Sequence, residues 1–327
     1  MRRRDFIKAF GGTAAAWPLS VQAQQQPTPV VGFLGLTSAG TQPYLTAFRQ
    51  GLGETGFVEG RNIAIEYRWA ENQYNRLPDL AADLIQHHVN VIVTLFTTRA
   101  AQAAKATTTT IPIVFSVGDD PVKHGLVSSL SRPGGNATGI NFFSAEVTAK
   151  RLGLLRELLP KAARVGVLIN QANVENTERT VKDVKAAADP LGLQVEVLKA
   201  SSSNEIDAAF TTLVSHRAEG LLVGPDAFFV SRRMQIAILA ARHVVPTIYT
   251  IGDYAEAGGL ISYGTDVEDS VRQQGVYVGR ILKGTKPTDM PVTQSTKFKL
   301  VINLSTAKAL GLEISPTLLS RADEVIE

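Results

Sequence analysis

Short runs in which nearly every position is apolar alternate along this chain with longer stretches whose apolar positions recur at steps of three and four. The first kind reads as buried strand and the second as amphipathic helix. From residue 30 the strand runs are VVGFLGL, NIAIEYRW, VNVIVTLF and IPIVFSV, and helical patterns lie between them near 42–55, 75–87 and 99–106. The first helix places Leu45, Phe48 and Leu52 on one face and meets a stop at Gly56. Strands that alternate with helices in this way form βαβ units around parallel sheets.

The same order of events then repeats. RVGVLIN at 164 is followed by LQVEVLKA, EGLLVGPD and VPTIYTI, so that VGFLGL matches VGVLIN and IPIVF matches VPTIY. An offset of about 130 residues between matching strands predicts two similar, Rossmann-like α/β lobes. The chain is expected to pass between them three times, near SRPGGNATGINFF with Thr138 to Phe143 crossing, near GGLISYGTD, and near STKFKLVINL. This gives an expected lobe 1 of residues 30–140 with 265–290 and a lobe 2 of 141–264 with 291–327, joined by a three-segment hinge. A short helix is expected over Ser305 to Gly311, with Ser305 as N-cap and Gly311 as C-cap.

Charge changes the picture at one end only. The formal charge is +3, yet Arg2, Arg3, Arg4 and Lys8 against Asp5 account for it, and the chain beyond residue 23 holds 29 basic and 29 acidic groups. A neutral body lacks the concentrated basic surface that nucleic acid requires, so a nucleic-acid partner is not expected. MRRRDFIKAFGGTAAAWPLSVQA has a basic head, a mildly apolar middle and small residues at the spacing of a cleavage site, which reads as an export leader cut near Ala23. Arg3-Arg4-Asp5-Phe6-Ile7-Lys8 is similar to the twin-arginine export motif. A linker at 24–29 follows, and the expected mature protein is soluble and periplasmic. Cysteine is absent, which removes disulfides and thiol catalysis.

In a parallel α/β sheet the loops at the carboxyl ends of the strands form the ligand crevice, and two facing lobes make one cleft from two such rims. On the first rim stand Ser38, Thr97, Thr98 and Asp119; on the second, Asn170, Asp226 and Tyr249. Hydroxyls at a helix start beside free backbone N–H groups suit a carboxylate, although either threonine could simply cap its helix. Asp120 before Pro121 has the form of an N-cap, which leaves Asp119 as the carboxylate facing a ligand. His124 lies close by, but no metal-ligand spacing accompanies it, and no metal or cofactor is expected. Phe228 and Tyr249 are candidates for stacking on an aromatic solute, and Tyr263 either for stacking on a ligand or for packing at a crossing. GLTSAGT after the first strand lacks the dinucleotide fingerprint, and GxxxxGK[ST] and GxSxG do not occur.

IPIVFSVGDDPVKHGLVSSLSRPGGNATGI, AGGLISYGTD, YVGRILKGTKPTDMPV and the closing TKFKLVINLSTAKALGLEISPTLLSRADEVIE resemble the periplasmic substrate-binding proteins of ABC transporters, in the group with tryptophan- and tyrosine-type binders. The resemblance implies a type I periplasmic binding fold that closes on a small solute, an amino acid or similar carboxylate, and presents it to an ABC permease in the membrane. It also implies ligand contacts at the first-strand rim, the Thr97-Thr98 turn, Asp119, and the Asn170 and Asp226 rims. A monomer without catalytic activity is expected. The alternatives are an exported two-lobed enzyme of glycosyltransferase-like architecture and a ligand-sensing domain.

Overall fold

The computed structural model describes residues 28–38, 41–142 and 147–327. The expected leader, most of the linker and the end of the first crossing lie outside the described residues. Strands β1 (Val30–Gly35), β2 (Ala64–Trp69), β3 (Val91–Leu95), β4 (Ile113–Val117) and β5 (Ala137–Asn141) alternate with helices α1 (Gln42–Glu54), α2 (Leu77–Gln86) and α3 (Thr98–Thr107). After α4 (Thr148–Leu158) come β6 (Arg164–Ile169), β7 (Gln194–Lys199), β8 (Gly220–Val223), β9 (Thr247–Tyr249) and β10 (Ile261–Thr265). Between these run α5 (Val174–Ala188), α6 (Ser203–Ser215), α7 (Ala227–Ser231), α8 (Arg233–Arg242) and α9 (Asp253–Glu256). The chain ends with α10 (Val267–Leu282), β11 (Thr293–Gln294), β12 (Phe298–Asn303), α11 (Leu304–Ala309), α12 (Pro316–Leu319) and β13 (Glu324–Ile326).

The two sheets run β11-β5-β4-β3-β1-β2 and β13-β12-β10-β9-β8-β6-β7. The repeat seen in the sequence is therefore a repeat of topology, since β1 sits between β2 and β3 as β6 sits between β7 and β8. All strand pairs are parallel except β10 with β12. Burial follows from this order: every residue of β3 and β4 is buried, whereas the outer strands β2 and β7 carry the charged residues Glu66, Arg68, Glu196 and Lys199.

Three crossings join the lobes. The first follows β5; the second turns from β10 into α10, which packs on α1; the third leads from β11 in the first sheet to β12 in the second. Thr293–Gln294 pairs with Ile140–Asn141 of the first sheet, beyond the boundary expected at 290, because the chain must finish that edge before it crosses. The crossings are tied to one another. Thr265 Oγ1 donates to Phe142 O at 2.6 Å, Ser295 N to Asn141 O at 2.9 Å, and Asp266 N to Lys297 O at 3.0 Å.

The tail helix differs from expectation at its start. Asn303 is the N-cap, its Oδ1 accepting Thr306 N at 2.8 Å, so Ser305 lies inside α11. The strand thus turns directly into the helix on an asparagine that also donates to Ala255 O at 3.0 Å, a contact no sequence spacing reveals. Gly311 takes a φ of +68° just past the helix, as its C-terminal position requires.

Helices α1 and α10 approach so closely that a Cβ on Gly51 would stand 1.8 Å from Arg272 O, and one on Gly275 2.2 Å from Phe48 O. Gly53, two residues along, has nothing within 4 Å of its Cβ position. Gly51→Ala is therefore expected to destabilise by ~1–3 kcal/mol through overpacking. Gly53→Ala is expected to stabilise by up to about 1 kcal/mol through helix propensity. Equilibrium denaturation of the two variants side by side checks both signs.

Candidate functional site

The carboxyl ends of β3 and β4 open toward those of β6, β8 and β9, and a hollow of about 940 Å³ including its mouth lies between the two rims. After β3 the chain turns at Phe96, and Thr97 takes extended angles before α3 begins at Thr98. Thr97 is buried, lines the hollow, and makes no side-chain cap with its own helix, so the capping alternative does not hold for it. Thr97 and the first-turn residues Thr98 and Arg99 line the hollow, so a helix start, the kind of place that favours an anionic group, borders it.

Thr98 Oγ1 donates to Asp119 Oδ2 at 2.5 Å, and Arg179 Nη2 from α5 of the other lobe pairs with Asp119 Oδ1 at 2.5 Å. Asp119 thus sits on the wall with its charge compensated from across the cleft. Asn141 Nδ2 fixes this rim by donating to Asp119 O at 2.7 Å and Val117 O at 3.1 Å. Asp120 holds the turn after it, accepting Val122 N at 2.9 Å and Lys123 N at 3.3 Å.

On the facing rim Asp226 caps α7. Its Oδ1 accepts Phe228 N and Asn170 Nδ2, and its Oδ2 accepts Asn173 Nδ2, each at 2.9 Å. Burial raises the Asp226 carboxyl pKa, and these donors pull the other way without cancelling it. Tyr74 from the first lobe lies against this group, and burial followed by the Asp226 charge pushes its phenol far above its ordinary range. Arg99 covers the Tyr74 ring, its Cζ 4.7 Å from the centroid. So occupied by protein donors, Asp226 braces the wall and has little capacity left for a ligand amine.

Of the other residues singled out from the sequence, Asn170 stands behind the wall and orients Asp226. Ser38 is exposed and reaches Glu71 Oε1 at 3.3 Å, off the wall of the hollow, because the chain after β1 turns outward. Tyr249 is fully buried and stacks on Tyr254 at 4.6 Å. Successive strand residues point to opposite sides, so it is Thr250, one step on, that reaches the hollow. Phe228 likewise belongs to the core under α7, against Phe229. Tyr263 stacks on Phe298 at 6.1 Å beside the crossings. His124 accepts Gln102 Nε2 through its backbone carbonyl.

The walls also carry residues that the sequence did not single out. Tyr44, Phe96 and Phe142 form an aromatic side, with Phe96 edge-on to Tyr44 at 4.8 Å and to Phe142 at 6.3 Å. Tyr44 OH donates to Asp253 Oδ2 of the other lobe at 2.7 Å. Arg151, buried in α4, donates from Nε to Tyr263 O at 2.7 Å, and burial lowers its pKa to about 9, which leaves it charged at neutral pH. Among the described residues no group of three His, Asp or Glu is placed to hold a metal ion.

A family model for the ABC transporter substrate binding protein matches residues 39–326. The chain belongs to that family. A curated relative, the tyrosine-binding protein of Clostridioides difficile strain R20291, is 29% identical over 284 residues, which is 86% of this chain and 81% of the relative. Among solved structures, the ABC domain from Streptococcus pneumoniae in complex with L-Trp superposes with a TM-score of 0.82 at 26% identity, covering 91% of this chain and 100% of the other. The ligand-free, open structure of a substrate-binding protein with adhesive properties from Clostridium difficile gives 0.65 at 29% identity, covering 91% and 99%. The fold is that of the type I periplasmic binding proteins, and with similar identities the higher score puts this lobe arrangement nearer the liganded relative than the open one.

Ligand-free Arg179→Ala protein should populate an opened form. A partly exposed pair of this kind is worth on the order of 1 kcal/mol, about fivefold in the open-to-closed ratio. Small-angle scattering of the variant and parent, read as radius of gyration, checks the shift.

Proposed function

We propose that this substrate-binding protein closes outside the cytoplasmic membrane on a small aromatic solute bearing a carboxylate, an amino acid of the tyrosine or tryptophan kind. It then hands that solute unaltered to an ABC permease. The observation that carries the reading is the hollow itself, with aromatic edges from Tyr44, Phe96 and Phe142 on one side and the start of α3 with its Thr97 hydroxyl on another. Rings of a solute gain from edge-on and offset contacts with such a wall. Its carboxylate gains from donors at a helix start, held where water is largely excluded.

Recognition by groups from both lobes makes the bound state closed. Thr97 belongs to the first lobe and Thr250 to the second, and a solute between them favours the arrangement in which both reach it. No covalent step enters this mechanism. The leader-like first 23 residues, the family, the tyrosine-binding relative and the relative in complex with L-Trp support the extracytoplasmic setting, the transport role and the ligand class. The protein acts as a monomer in this reading.

Calorimetric titration of the protein from residue 24 onward with L-tryptophan, L-tyrosine and L-phenylalanine tests it. Saturable binding of at least one, recovered chemically intact by mass spectrometry, is the expected result. A ligand at one hundred times its Kd should add about 2.7 kcal/mol of stability, read as a rise in Tm. Thr97→Val keeps the shape and removes the hydroxyl, and should weaken binding by roughly tenfold, the scale of one hydrogen bond to a charged group. Absence of binding to all three, or turnover of a bound solute, overturns the proposal.

A further inference from the structure

The hollow described above has a neighbour. A second, narrow one, about 360 Å³ with its open mouth included, lies between the end of β1 and α7, with Leu36, Trp69 and Leu95 on the first-lobe side and Ser231 on the other. Glycine at position 35 makes room for part of that wall, because a Cβ there would stand 2.3 Å from Cζ3 of Trp69. Tyr44, Phe96, Ala227 and Val230 line both hollows. Whatever separates the two spaces is therefore made from these residues.

Three of them are poor candidates for a removable divider. Ala227 and Val230 are short, and Tyr44 is fully buried and anchored through its hydroxyl to Asp253 Oδ2 at 2.7 Å. Phe96 differs in two ways. Its ring stands edge-on between Tyr44 and Phe142, with interplanar angles of 75° and 77°. Its backbone has a φ of +61°, a left-handed conformation that a bulky aromatic residue rarely adopts, held by Phe96 N donating to Ser116 O at 2.9 Å. Strain of this kind persists where the surroundings impose it, and it collects at ligand clamps. An ordinary turn after β3 would use glycine or asparagine here.

We infer that Phe96 is the partition that sets the length of solute the cleft admits. With the ring in place a solute is confined to the larger hollow, and without it the two hollows are continuous and accept a solute extended by a second ring. The inference rests on the reading of the cleft as a site for an aromatic carboxylate, and it adds the residue that limits size. Phe96 acts by contact with the solute and by closing the way to the second hollow, so its removal should change the ranking of ligands and not only their strength.

The test is calorimetric titration of the parent protein, Phe96→Gly and Phe96→Leu with L-phenylalanine, L-tyrosine, L-tryptophan and L-4-phenylphenylalanine. The parent should bind one of the first three at least tenfold more tightly than the biphenyl compound. Phe96→Gly should reverse that order, losing tenfold or more for the small ligand and gaining tenfold or more for the large one; glycine accepts the positive φ, which offsets part of the packing lost with the ring. Phe96→Leu, which keeps bulk at the partition, should retain the parent's order. Should Phe96→Gly fail to fold, Phe96→Asn, which also tolerates the left-handed backbone, carries the same expectation of reversal. An unchanged order in the folded glycine or asparagine variant, or a parent that binds the biphenyl compound as tightly as the small ones, overturns the partition while leaving the aromatic reading of the cleft intact. If the parent binds none of the four, the aromatic reading falls and the partition falls with it.

Discussion

Everything in this molecule depends on two parallel sheets ending their strands against the same gap, and that arrangement is imposed where the chain crosses between lobes. The crossings are bound to each other by Thr265 with Phe142, Ser295 with Asn141 and Asp266 with Lys297. Because these bonds join hinge to hinge, the three segments form one narrow belt. The rims above it can then separate or meet with little change inside either core. Each lobe keeps its own apolar clusters on the two faces of its sheet, one holding Phe33 and Phe48 and another Ile92 and Phe115 in the first lobe, one holding Val167 and Ile248 and another Phe210 and Tyr249 in the second.

The elements of the fold were legible because burial on a sheet writes itself into composition. Runs such as IVFSV and VIVTL, short, β-branched and apolar at nearly every position, read as central strands, and the match of VGFLGL with VGVLIN points to the duplicated topology that the sheets then show. The rim positions Thr97, Thr98, Asp119 and Asp226 followed from strand ends alone. What failed was parity and reach. Tyr249 and Thr250 differ by one residue and face opposite ways, and β9 is too short for its alternation to reveal which side is covered. Arg151 sits in a helix with basic neighbours and reads as a surface residue, yet it is 1% exposed, since only the folded crossings supply the carbonyl of Tyr263 that receives it. Tyr44 and Arg179 each project from a helix across the gap, and no local pattern announces a partner that belongs to the other lobe.

Those cross-lobe contacts bear on how the protein can work. Asp119 with Arg179, Tyr44 with Asp253 and Tyr74 with Asp226 are polar, so at these points closing the cleft exchanges hydration for hydrogen bonds of nearly equal worth. A cleft walled by a large apolar surface on both sides would collapse shut without a ligand and release nothing. Here the aromatic side is supplied by Tyr44, Phe96 and Phe142, all from the first lobe or its crossing, while the second lobe offers Asn173, Asp226 and Thr250 together with the smaller apolar side chains of Pro225, Ala227, Val230 and Ile251. Among the described residues the second lobe sets no aromatic ring against that wall, and a solute ring would supply one. A solute adds to the interface between the lobes, and it shifts the balance of open and closed forms only by as much as it binds the closed form more tightly.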